Sequence, residues 1–157
     1  MKIEAAFRPL ADLERKLADL YAFWAEAFVD DREATFVFLK MSSEEMGHVA
    51  FIEYARRFVQ KDPKLGGEVD VDLSDVQAAI DRVRGHRESG VAPSLERAVA
   101  IAQELEASAA DSHSRAALKQ VNPELGRLLH YLGGEDEQHL GRLTEFAARR
   151  GLSRTGR

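Results

Sequence analysis

The chain has no cysteine among its 157 residues. That absence excludes disulfides, thiol nucleophiles, iron–sulfur clusters, zinc fingers and thioether-linked haem. Any bound metal must then be held by carboxylates and by the five histidines. Four prolines and eleven glycines are few, and most fall outside the periodic segments, which points to a helical composition rather than a β-sandwich or a disordered chain. No stretch free of Asp, Glu, Lys and Arg exceeds seven residues, whereas a membrane span needs about 20 apolar residues. The opening MKIEAAFRPL does not read as a signal peptide, so a soluble, cytoplasmic protein is expected. Basic residues are not in excess, 22 against 27 acidic, and the net charge of −5 disfavours a nucleic-acid-binding surface. The length suits one domain over residues 1–157 with a substantial core.

Apolar spacing and breakers predict an all-α fold with four long helices at about residues 9–29, 32–60, 94–119 and 123–150. Pro9 suits a first helical turn, Asp30-Asp31 a tight connection, and Asn122-Pro123 and Gly151 the two ends of the last helix. The first two helices should form one antiparallel hairpin and the last two another. The connection between them, residues 61–93, contains an extended Val69-Asp70-Val71-Asp72 and a short helix from Leu73 to about Arg87, with Ser74 and Gln77 as a capping box. Two hairpins joined by a long crossover is a four-helix-bundle topology.

The hairpins repeat one another. Glu14 and Glu104 lie 90 residues apart, and Glu45/Asp136 and His48/His139 each lie 91 apart. The second helix carries the stripe Phe38, Met41, Glu45, His48, Ile52, Ala55, Val59, and the fourth Leu125, Leu129, Leu132, Asp136, His139, Leu143, Phe146. Each apolar seam is interrupted by one carboxylate and, three residues on, one histidine on the same face. Glu14 interrupts the first helix's stripe, and Glu104 stands beside the small-residue face Ala98, Ile101, Leu105, Ala109 of the third. A buried ionisable group without a partner costs about 3–5 kcal/mol, so six at matched heights need mutual compensation. Two divalent cations supply it, in the di-metal carboxylate arrangement of helical bundles. Imidazole and carboxylate donors without thiolate suit iron or manganese better than structural zinc. The plainer alternative is a set of buried salt bridges without metal, or solvated pairs such as Glu44 with Lys40.

At these residues the chain resembles the rubrerythrin branch of the ferritin-like superfamily. Each half has a Glu on the first helix, a short turn and then Glu-Glu-x-x-His on the second, read as Glu44-Glu45-Met46-Gly47-His48 and as Glu135-Asp136-Glu137-Gln138-His139; Tyr21 follows Glu14 by seven residues. The resemblance covers about residues 8–60 and 94–150. It implies a diiron bundle with Glu14, Glu45, His48, Glu104, Asp136 and His139 as ligands, Glu45 and Glu104 being candidates to bridge. Glu135 is an alternate ligand to Asp136. The departures are specific. The rubredoxin-type four-cysteine domain of rubrerythrin is missing, Ala107 stands where that family has an extra Glu, Asp136 replaces a Glu, and Asp111 falls where the second half would place the aromatic. Asp111 either orients a ligand histidine through the ring's free N–H or lies at the surface. Tyr21 either hydrogen-bonds a ligand carboxylate or fills the bundle; Trp24 and Phe28 belong to the core. His86, His113 and His130 read as ordinary surface or half-buried residues, and the four arginines from residue 149 to the end as a solvated tail.

What the resemblance implies in function is reduction of hydrogen peroxide or dioxygen at two iron ions, with manganese or a mixed pair as variants. With no cysteine-based relay, electrons would come from an external donor. The alternatives are a ferroxidase of iron handling and a non-catalytic binding bundle, and a homodimer is compatible with each.

Overall fold

A computed structural model of the chain describes residues 1–120 and 122–152. The described residues form five helices: α1 (Ile3–Ala27), α2 (Arg32–Lys61), α3 (Ser74–Glu88), α4 (Leu95–Lys119) and α5 (Pro123–Arg149). The fold is an all-α bundle. Helix α1 packs along α2 and α4 along α5, while α3 lies mainly against α1 and α2 meets α5 at few points. None of these helices is long and apolar enough to cross a membrane.

Local chemistry explains most of the helix ends. Asp31 caps α2 by accepting from the Ala34 amide, Ser94 caps α4 through the Arg97 amide, and Asn122 caps α5 through the amides of Glu124 and Leu125. Thr35 clamps the α1–α2 turn by donating its hydroxyl to the Phe28 carbonyl at 2.7 Å. At the far end of the chain Arg149 and Arg150 return to Glu33 and Asp31, and the Arg150 hydrogen bond holds the Asp31 carboxyl down at about 2. These two arginines are therefore paired rather than solvated; residues 153–157 lie outside the described residues.

Two boundaries depart from expectation. Helix α1 starts six residues before Pro9, which lies inside it. The early start is held by Ile3 and Phe7, both buried, and by the pairing of Lys2 with Glu68 across an isolated β-bridge. Burying Ile3 and Phe7 contributes about 1.5–3 kcal/mol each, which together offsets the ~3 kcal/mol cost of an interior proline. The Ser74–Gln77 capping box does not form. Leu73 is the N-cap of α3, and the Asp72 carboxylate accepts from the Ser74 amide at 2.9 Å instead. An Asp two residues upstream of the amide makes a tighter local acceptor than a Ser hydroxyl.

Helices α4 and α5 approach closely at Gly133, where a Cβ would stand 2.9 Å from Ser114 Oγ and 3.6 Å from the Ala110 carbonyl. The first hairpin instead fills its space with rings, Trp24 meeting Phe38 edge-on at 5.4 Å between centroids and Tyr21 stacking on it at 6.1 Å. Because Pro9 interrupts a formed helix, Pro9→Ala is expected to raise unfolding stability by about 1–3 kcal/mol, read by urea denaturation. A helix beginning at residue 9 would leave the midpoint unchanged.

Candidate metal centre

The buried stripes carry their charged members into the interior. On α1 the buried set includes Leu10, Glu14, Leu17, Tyr21 and Trp24; on α2 it includes Met41, Glu45, His48 and Ile52; on α5, Leu132, Asp136, His139 and Leu143. A helix turns about 100° per residue, so a polar residue on a 3-4 register is buried with its apolar neighbours. Five of the residues expected from the sequence, Glu14, Glu45, His48, Asp136 and His139, are thus brought together and buried.

Glu45 lies at the centre. Its Oε2 is 2.9 Å from His48 Nδ1, which is 3.4 Å from Glu14 Oε2. Its Oε1 is 2.9 Å from His139 Nδ1, which is 3.4 Å from Glu106 Oε2. The two oxygens of one carboxylate therefore face two separate imidazole–carboxylate pairs with the same spacings. The His48 and His139 rings lie nearly parallel, 5.4 Å between centroids. Adjacent ligand atoms at about 2.1 Å from a shared ion stand roughly 3 Å apart; the imidazole–carboxylate edges of both triads, Glu14/Glu45/His48 and Glu45/Glu106/His139, lie at 2.9–3.4 Å, and all three donor atoms of each lie within 4.8 Å of one another.

Orphaned atoms give a second test of fit. Among the described residues, the buried side-chain atoms with neither a hydrogen bond nor an ion-pair contact are Trp24 Nε1 and three atoms of this cluster: Glu14 Oε1, Asp136 Oδ1 and His113 Nε2. Unsatisfied buried polar atoms are uncommon and costly. Their concentration in one place fits a set of lone-pair donors that lacks a common acceptor, a role a metal ion would fill.

Three expectations are corrected. Glu104 is exposed, and Glu106 takes the interior position on α4. Asp111 is also exposed and pairs with Arg115 at 3.0 Å, so it orients no histidine. His113, read as an ordinary residue, is fully buried with Nδ1 2.6 Å from Asp136 Oδ2. The alanine-rich α4 offers two plausible stripes, because alanine gives little contrast between faces. The one that faces the site is Val99, Ala102, Glu106, Ala109, His113, spaced 3-4-3-4. A signal for it existed: Glu106 and His113 are seven residues apart, as are Glu14 and Tyr21, and both members are displaced by 92 between the halves.

Tyr21 holds a ligand-like carboxylate, its hydroxyl donating to Glu106 Oε1 at 2.5 Å and leaving Oε2 toward His139. The close approach at Gly133 brings His113 onto Asp136 in the same manner. Behind the rings stand two half-buried carboxylates. Glu44 Oε2 is 3.1 Å from His139 Nε2 and is also held by Arg142, while Glu135 Oε2 is 3.6 Å from His48 Nε2. Glu135 is therefore not in the position of an alternate to Asp136; it faces the outer nitrogen of a ring on the other hairpin. A carboxylate on the outer nitrogen fixes tautomer and ring orientation.

Without metal, protons balance this charge. Burial opposes a charge on His48, but hydrogen bonds to Glu14 and Glu45 outweigh it and push the imidazole up to about 11. Against the same opposition, Glu106 and Glu45 push His139 up to about 10. Burial, then the Glu45 charge, push Glu14 up to about 7. Burial also raises the Asp136 and Glu106 carboxyls. For Glu45, the hydrogen bonds of both imidazoles prevail over burial and hold it below the ordinary value.

No protein-family model, curated protein or solved structure matches the chain.

The protonation pattern sets a pH dependence. Glu14, His48 and His139 each bind their proton more tightly in the folded chain, so raising pH weakens the metal-free fold: from 4.5 to about 7 through Glu14, and from 6.5 to about 10–11 through the histidines. The melting temperature of chelator-treated protein is expected to fall steadily between about pH 6 and 9. With Co(II) present the trend should weaken or reverse, since ligation releases those protons. Calorimetry with and without metal checks this; parallel profiles would count against the assignment.

Proposed function

We propose that the chain is a ferritin-like, rubrerythrin-type di-metal oxidoreductase that reduces hydrogen peroxide or dioxygen, with two iron ions as cofactor and an external electron donor. The observation that carries this reading is the division of the Glu45 oxygens between two matching imidazole–carboxylate pairs. A metal-free salt-bridge network is disfavoured by Glu14 Oε1, Asp136 Oδ1 and His113 Nε2, buried atoms that a completed network would have paired.

Glu14, Glu45 and His48 would hold one ion and Glu45, Glu106 and His139 the other, with Asp136 beside them. When bound, such ions supply Lewis acidity and one electron each to an oxygen substrate. The chain's own residues do the rest. Tyr21 and His113 fix Glu106 and Asp136 in single orientations. Tyr21, Trp24 and Phe38 keep one side of the cluster dry. Glu44 and Glu135, with side chains 30% and 27% exposed, link the outer ring nitrogens to water between α2 and α5. Protons can be held at these two carboxylates, which suits a reaction whose product is water. With no cysteine in the chain to hold a rubredoxin-type iron, the electrons that re-reduce the ions would come from an external donor.

Stopped-flow mixing of the Fe(II)-loaded protein with peroxide or oxygen tests the proposal. Metal oxidation within the mixing experiment is expected, slowed at least about tenfold in Glu106→Gln and unchanged in Glu104→Gln. Absence of oxidation in the wild-type protein would overturn it.

A further inference from the structure

The repeat predicts two equivalent metal positions, and the interior departs from that symmetry at two points, Asp136 opposite Glu45 and His113 opposite Tyr21. Tyr21 on α1 and His113 on α4 occupy corresponding places, seven residues beyond Glu14 and Glu106. A tyrosine hydroxyl in this place is a hydrogen-bond donor to a carboxylate. An imidazole is also one of the commonest metal ligands. His113 is fully buried, its Nε2 has no hydrogen-bond partner, and its Nδ1 is 2.6 Å from Asp136. Glu14, His113 and Asp136 each offer one donor atom, all within 4.8 Å of one another. Oδ1 of Asp136 and Oε1 of Glu14 are likewise buried and unpaired. Glu14 belongs both to this triad and to the one with Glu45 and His48.

We propose that His113 is a third imidazole ligand of the metal pair, joining Glu14 and Asp136 on the ion held by Glu14, Glu45 and His48, so that the two metal positions have unequal donor sets. The proposal rests on the di-metal reading above. The first position then has two imidazoles and the carboxylates of Glu14, Glu45 and Asp136; the second has Glu45, Glu106 and a single imidazole, His139. Nitrogen-rich sites follow the Irving–Williams order more steeply than carboxylate sites. The first position should therefore fill first and favour the later metal of a mixture, leaving the second to fill at higher concentration. The short side chain of Asp136 fits this arrangement: one methylene less than Glu keeps its carboxylate near α5, within reach of His113 and Glu14.

Titration of metal-free protein with Co(II), followed by visible absorption, separates the possibilities. The wild-type chain should bind two ions in two resolved steps differing at least about tenfold in affinity. His113→Asn retains an N–H donor for Asp136 but is a poor metal ligand. It should weaken the first step at least about tenfold and change its absorption, leaving the second in place. If His113→Asn titrates as the wild type does, His113 only positions Asp136 and the proposal fails. Two indistinguishable steps in the wild type also defeat it while leaving the di-metal reading intact; fewer than two ions per chain defeats both. Pulsed EPR of wild-type protein loaded with one Mn(II) gives a readout independent of the variant's folding. Couplings to two imidazole nitrogens support the proposal, and couplings to one overturn it.

Discussion

Buried charge without compensation is what this fold cannot tolerate, and Glu45 is where that constraint is concentrated. Its carboxylate lies in the interior with one oxygen toward each imidazole. Every other polar group nearby is arranged around that division: Tyr21 turns Glu106 toward His139, His113 engages Asp136, and the outer carboxylates back the rings. An apolar bundle of this size would be stabilised more by leucine at these positions. Retaining eight buried polar or charged residues, most of them in one place, makes sense as the cost of a chemical function.

Much of this was legible in the sequence, for physical reasons. Leucine-rich α1 and α5 give a strong contrast between faces, so Glu14, Asp136 and His139 announce themselves as polar interruptions of apolar stripes. The same holds for Glu45 and His48 on α2. Helix α4 is different: alanine and serine lie on every face, and Glu104 and Glu106 sit on opposite sides of Leu105. Periodicity alone could not choose between them, and choosing Glu104 led to Asp111 in place of His113. The start of α1 was obscured by Pro9, because the contacts that extend the helix, between residues 1–3 and 67–69, are distant in sequence.

The two walls of the cluster differ in kind. One is aromatic and dry, built from Tyr21, Trp24 and Phe38. The other is the boundary between α2 and α5, where Glu44, Glu135 and the ring of Tyr131, 6.2 Å from His48, stand between the imidazoles and solvent. Solvent reaches the outer carboxylates on one side, while the buried rings on the other keep the dielectric low around the inner ones.

The outer carboxylates cross over: α2 supplies the one behind the ring of α5, and α5 the one behind the ring of α2. Together with Arg142 on Glu44, Arg149 on Glu33 and the Phe51–Tyr131 ring contact, the crossing ties the two halves of the molecule through the cluster. Each half on its own would carry a mismatched imidazole and a stray acid. Parting the halves would therefore strip both imidazoles and both outer carboxylates of their partners across the seam at once.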